Sequence, residues 1–285
     1  MYPSATPKTF RTDINGLRAW AVVAVVLYHF GVPGFGGGFV GVDVFFVISG
    51  FLMTGIVVRG LEGERSFSIS GFYAARARRI VPALVVLCTV LLVAGWWALP
   101  AIEYKKLGTH AALSLTFLSN FLFWRESGYF DIASHDKWLL HTWSLAVEWQ
   151  FYVLLPLALS LAWKITRRKA VLIGVIFAAF VASLVWSIAL TPLRPTTAFF
   201  LLPTRAWEML AGGLVFIATC HVTPTEGIRR SLDLIGIAML IGSIAIFAST
   251  SPWPGWRAFV PVVGAAAALF AARPNSIWTC SRAAQ

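Results

Sequence analysis

The chain has 285 residues, of which 58% are hydrophobic and 12% charged, with a net charge of +11. Soluble domains carry about 25% charged residues, so half that share, spread between long apolar runs, excludes an ordinary soluble domain and points to the membrane. The positive charge does not indicate a nucleic-acid partner. The basic residues sit in short loops between apolar runs, where they set topology and meet anionic lipid headgroups.

In chain order, residues 1–14 are polar, with Lys8 and Arg11, and are expected to form a cytoplasmic N-terminal segment. The first apolar run, 17–30, is short of the ~20 residues of a full crossing. Arg18 stands near its start and His29 near its end. An uncharged GVPGFGGG turn leads to the second run, 39–58, which carries Asp43, Ser49 and Gly50. The segment 59–79 then reads as a polar loop, with Arg59, Arg65, Arg76, Arg78 and Arg79 against Glu62 and Glu64. By the positive-inside rule this loop and the N-terminus are expected to be cytoplasmic.

A third run covers 80–99. Segment 103–124 is moderately apolar, with Lys105 and Lys106 near its start. The run 143–163 ends in the basic KITRRK, and 170–190, 206–219, 232–248 and 258–272 complete about nine spans. If 103–124 crossed the bilayer, KITRRK would fall outside; the charge rule favours an interfacial or re-entrant segment there. The expectation is an all-α polytopic transmembrane bundle over 15–272 with a polar tail at 273–285.

Ionisable residues within spans are costly and hint at function. Eleven residues at about 1.5 Å each put Arg18 and His29 about 16 Å apart on nearly one helix face. One extended molecule could touch both, the arginine holding an anionic part and the histidine acting as general base. Asp43 is expected close to His29 across the short turn, where a carboxylate can orient the ring or simply cap its own helix. Glu148 lies within a span and should face a partner or a cavity. Arg205 and Glu208, at i and i+3, suit a local salt bridge. Arg76, Arg78 and Arg79 suit either lipid headgroups or a phosphate. His110, His135 and His141 lack metal-ligand spacing, so no metal is expected; His141, just before the 143–163 run, remains a candidate.

Several stretches together resemble acyltransferase family three, the membrane O-acyltransferases that include O-antigen acetylases. They are GLRAWAVVAVVLYHF, GFVGVDVFFVISGFLMT, RARRIVPA, SNFLFW…GYF, HTWSLAVEWQFY and LPTRAWEMLAG, in the family's order from about residue 13 to 215. The family pattern of a basic residue, ten residues, then histidine falls on Arg18 and His29, and its RxxR on Arg76 and Arg79. The resemblance implies an acyl-CoA donor (acetyl-CoA foremost) from the cytoplasm and a glycan or glycolipid acceptor on the outer side of a bacterial-type cell membrane. It implies His29 as the catalytic base, helped by Asp43 or Glu148, with Arg18, Arg76 and Arg79 on the coenzyme. Arg205, Glu208 and His141 are candidates for the acceptor side.

This chain departs from the family in three ways. Trp149 follows Glu148 where the family often has a second acid. The late motif near GxxSYxxYLxHxP is absent, so a final family helix is expected to be missing, and a truncated inactive member is one reading. No extracytoplasmic esterase-like domain is expected, so any second transfer step is expected to need a separate extracytoplasmic transferase. The alternative from another class is a transporter or flippase of an acylated or glycolipid substrate.

Overall fold

The computed structural model describes residues 11–63, 67–127, 137–248 and 250–272. Among these the chain is helical throughout: α1 Thr12–His29, a 3-10 turn Gly38–Val40, α2 Gly41–Glu62, α3 Ile69–Ala98, α4 Ala101–Leu115, α5 Ser119–Glu126, α6 Thr142–Thr166, α7 Lys169–Leu190, α8 Pro195–Phe200, α9 Leu202–His221, α10 Glu226–Ile246 and α11 Phe259–Ala271. Each expected apolar segment falls on a helix. Four stretches are long and apolar enough to cross a bilayer: Gly38–Glu62, Ile69–Ala98, Thr142–Thr166 and Lys169–Leu190. The protein is an all-α, multi-pass membrane protein. The tail at 273–285, His135 and most of the N-terminal segment lie outside the described residues.

The chain forms two compact units. One holds residues up to Ile48, Val215–Ser251 and the chain from Ala258; the other holds Ser49–Leu214 and Pro252–Arg257.

In the first unit α1 and the start of α2 form an antiparallel hairpin. A Cβ on Gly38 would collide with the Ala24 carbonyl, and one on Gly41 with the Ala21 carbonyl. Small residues three apart on each strand of the hairpin let the backbones meet, as is usual between membrane helices. The connecting turn uses Gly31 and Gly34 at φ of 64° and 87°, which L side chains rarely adopt. Gly37 N donates to Ile244 O at 2.9 Å, tying the turn to α10. Gly236 and Gly264 bring α10 and α11 equally close.

In the second unit α3 presents Leu84 and Cys88 to Leu107 and Ala111 of α4, a cluster completed by Phe117, Leu139 and Ala146. Its other face, with Val86, Val90, Val93 and Trp97, stands outside the bundle, as a lipid-facing surface would. α3 begins with Ser68, whose hydroxyl caps Gly71 N at 3.0 Å. Arg76, Arg78 and Arg79 are therefore helical rather than part of a loop, and the expected 59–79 loop shrinks to the link between Glu62 and Ile69. The segment 191–205, expected as a loop, holds the short α8.

Contacts within this unit fix helix direction. Ser49 of α2 bonds Glu148 of α6, and Glu62 of α2 pairs with Lys169 just past α6 at 2.9 Å. The two helices run parallel. Gly50 meets Met209 and Thr54 meets Gly213, so α9 runs parallel to them as well. α3 must return the chain once between α2 and α6, which leaves residues 101–126 beginning and ending on one side. They do so as a helical pair: α4 stops at Thr116, Phe117 takes φ 57°, and α5 turns back. Helices of 15 and 8 residues are short of the ~20 needed to span. Neither helix is long enough to cross, which fits an interfacial or re-entrant segment as the charge rule expects.

Candidate functional site

In the first unit Arg18 is partly buried on α1, and His29 is exposed at its last turn. The negative end of the helix dipole favours positive charge there. The Tyr28 ring meets the His29 ring edge-on at 4.9 Å and the Phe39 ring at 5.6 Å, pinning the end of α1 to the 3-10 turn. Asp43 is completely buried in the first turn of α2, where the dipole favours a carboxylate.

The hairpin register alters one expectation. Gly38 lies against Ala24 and Gly41 against Ala21, so each step along α2 moves away from His29. Asp43 comes level with the Arg18 end of α1, about two to three turns short of His29. The sequence brings the pair together only if the turn is counted and the antiparallel packing is not. An apolar cavity of about 240 Å³ lies along this hairpin, lined by Leu17, Ala21, Val44, Leu240 and Ile244 among others.

In the second unit Glu148 accepts hydrogen bonds from the Ser49 and Tyr152 hydroxyls, and these two hydroxyls lie 3.0 Å apart. Two hydroxyls, one from α2 and one from α6, thus close round one carboxylate. Tyr73 Oη donates to Val153 O at 2.8 Å and docks the start of α3 on the middle of α6. Arg76, one turn further along α3, is half-buried with its Nε enclosed. Arg79 is exposed, and Arg78, also exposed, bonds back to Ala74 O at 3.2 Å.

The turn between α4 and α5 packs on the same stretch of α6, at Trp149 and Gln150. Gln150 Nε2 donates to Phe117 O at 3.2 Å and to Asn120 Oδ1 at 2.8 Å. Asn120 Nδ2 donates to Phe200 O at 3.2 Å. Irregular backbone at membrane depth survives only where protein groups satisfy it, and Gln150 does so. Trp149 stacks on Phe117 at 4.3 Å with the rings 10° apart, so the residue that stands in place of a second acid holds the turn.

Arg205 and Glu208 are buried and paired at 3.1 Å, with the guanidinium 5.7 Å from both the Trp143 and Phe199 rings. His141 immediately precedes α6. Crowding by neighbouring atoms lowers its pKa below the usual histidine value although the residue keeps an exposed edge. His110 Nε2 and Glu126 Oε1 lie 3.1 Å apart, with Lys137 Nζ 3.7 Å from the other carboxylate oxygen. Among the described residues no group of three or more His, Cys, Asp or Glu side chains is arranged to hold a metal.

The acyltransferase domain family matches residues 11–282. The chain belongs to that family. Relatives agree. Peptidoglycan O-acetyltransferase OatA of Listeria monocytogenes is 34% identical over 238 residues, 82% of this chain and 38% of that protein. The putative membrane-bound transacylase BcsY of Komagataeibacter xylinus is 31% identical over 263 residues, 90% of this chain and 63% of that protein. The putative peptidoglycan O-acetyltransferase YrhL of Bacillus subtilis is 33% identical over 220 residues, 74% of this chain and 34% of that protein. The chain therefore spans between about one third and two thirds of these proteins. No solved structure matches it.

Within this member of the family the sequence singled out Glu148 but not the two hydroxyls that hold it. A polar residue facing another from a separate span was the available signal: Ser49 and Tyr152 are both polar within apolar helices. The Asn120–Gln150 bond carries a similar signal. The left-handed Phe117 carries none.

Proposed function

We propose that the protein transfers an acyl group, acetyl in the simplest case, from acyl-CoA to a hydroxyl of a cell-surface or exported glycan. The observation that carries this reading is the acyltransferase match across residues 11–282. The named activity of the Listeria relative favours a peptidoglycan-type acceptor. The membrane is a bacterial cell membrane, with the N-terminus cytoplasmic.

The coenzyme thioester supplies an activated acyl carbon. His29 takes the proton from the acceptor hydroxyl. The freed oxygen forms the new C–O bond as the C–S bond breaks, and the departing thiolate recovers the proton from the imidazolium. Arg18, Arg76 and Arg79 supply positive charge for the coenzyme phosphates. Asp43 works at the Arg18 end, and Glu148 anchors the polar site on α6. Arg205, Glu208 and His141 belong to the acceptor side. A separate extracytoplasmic transferase completes the route where the acyl group is relayed. The broken helix pair α4–α5 favours a second reading, transport of an acylated or glycolipid substrate without bond chemistry.

Membranes carrying the full chain, radiolabelled acetyl-CoA and a glycan acceptor test the proposal. Label should enter glycan, and His29→Ala should reduce transfer by about 10²-fold or more at unchanged expression. Equal transfer by the variant would overturn the role of His29. Glycan moved across the membrane without label entering it would support the transport reading.

A further inference from the structure

The apolar cavity of the first unit lies between the α1–α2 hairpin and α10. Its floor is buried: Leu17, Ala21, Ala24 and Val44 are each no more than 5% exposed. Its mouth is open. Trp20 is 47% exposed and Ile241 54%, with Ala245 exposed one turn after Ile241. Val22, Val23 and Val26 of α1 and Leu234 of α10 are exposed as well, so this surface is apolar and suits hydrocarbon rather than water. Among the described residues no charged side chain lines the cavity, and the Trp20 indole N–H is the one polar side-chain group that does. A sugar or a coenzyme phosphate needs several placed polar groups, and a buried water needs two to four polar partners. The walls supply neither.

Size selects among apolar occupants. Leu17 to Ala24 covers about 10 Å of helix. A volume of about 240 Å³ over that length leaves a cross-section of about 24 Å², the width of one extended hydrocarbon chain. A helix is about 10 Å across and cannot enter. The space takes about eight water-sized groups, more than one inserted leucine side chain brings. The two ends of the cavity differ. Leu17 stands in the second turn of α1, inside the helix. Gly34, Phe35 and Ala245 stand at the other end, where the chain leaves α1 and α10.

We propose that this cavity is a lipid site: it holds one acyl chain of a bilayer phospholipid, with the headgroup at the Gly34–Phe35 turn and the chain end at Leu17. Ala21, Ala24 and Gly41 bring no side chain long enough to close the gap to α10, and the lipid chain supplies the contacts they lack. Lipid is thereby a structural partner of the hairpin that carries Arg18 and His29. The assignment stands on the cavity and does not depend on the acyl-transfer reading.

Photolabelling of the full chain in phosphatidylethanolamine nanodiscs tests this without any activity. The probe is a phospholipid with a diazirine on one acyl chain, and labelled residues are mapped by mass spectrometry. A diazirine at the chain end should label the floor at Leu17 and Ala21, and one near the ester should label Gly34, Phe35 or Ala245. Ala245→Trp, at the mouth, should abolish labelling of the floor and leave labelling of Val22 and Val26, outside the cavity, unchanged. Label confined to Val22 and Val26 in the unmodified protein, or floor labelling that survives in Ala245→Trp, would overturn the proposal. A floor labelled by diazirine-bearing octanoyl-CoA but not by the phospholipid would give the cavity to the tail of an acyl donor and overturn the lipid assignment. Should Ala245→Trp fail to fold, the order of labelling with diazirine depth in the unmodified protein still decides: a reversed order, or none, would sink the orientation and the site with it.

Discussion

A Cβ placed on Gly50 would fall on the carbonyl of Met209, so the backbones of α2 and α9 are in direct contact there. Neither backbone can yield without unseating Ser49 beside it or the Arg205–Glu208 pair just before Met209. Gly50→Ala should cost about 1–3 kcal/mol or more, the range for overpacking, and should lower the thermal midpoint of the solubilised protein. Gly174 of α7 has open space around it, and Gly174→Ala should be neutral or stabilising by up to about 1 kcal/mol. Equal midpoints for the two variants would contradict the close approach.

Glu148→Gln should reduce acyl transfer by about 10²-fold, in the range for a lost acid–base or charge-bearing group. Ser49→Ala and Tyr152→Phe each remove one donor and should each cost a smaller factor. Because Ser49 and Glu148 touch, a double-mutant cycle on stability should show a coupling of about 0.5–3 kcal/mol. Strict additivity would mean that the Ser49–Glu148 bond contributes nothing.

Asp43 and His29 should behave in the opposite way. The hairpin register separates them by about two to three turns. Groups more than about 7–10 Å apart without shared partners add to within about 0.5 kcal/mol. The His29→Ala/Asp43→Asn cycle, read as stability, should close within that margin. A larger coupling would show that the two side chains act as one unit.

His141 carries a pH signature. Crowding holds its pKa below the usual histidine value, so the folded protein binds fewer protons at this site than the unfolded chain does. Stability from this group is complete above about pH 6.5, the unfolded value, and falls as pH drops through that value toward the lowered folded one. Thermal midpoints measured from pH 7.5 down to 5 should fall more steeply for the unmodified protein than for His141→Gln. Parallel curves would remove the effect.

Much of the fold is legible in the sequence because hydrocarbon imposes long apolar runs, and every such run became a helix. What eluded it was set by packing. Three arginines in four residues hid the first turns of α3, although Ser68 ahead of them is an N-cap in plain view. The break at Phe117 has no local cause such as Gly or Pro. It is paid for at a distance, by Gln150 and Trp149. The site divides in the same manner. Residue type marked out Glu148, Arg76 and Arg79, but not that Arg76 is half-buried and Arg79 exposed. Asp43 was misplaced relative to His29 because antiparallel packing through Gly38 and Gly41 is invisible in a residue count.

The short pair α4–α5 also bears on how the chain is built. Ribosomes deliver residues 101–126 before α6 exists. Neither short helix can settle in lipid alone, and the Phe117 carbonyl takes a hydrogen bond from Gln150 of α6. These residues must wait, sheltered by the insertion machinery or at the membrane surface, until the next long helix arrives. Assembly therefore cannot follow synthesis order, and the delay falls on the segment that packs on Trp149 and Gln150.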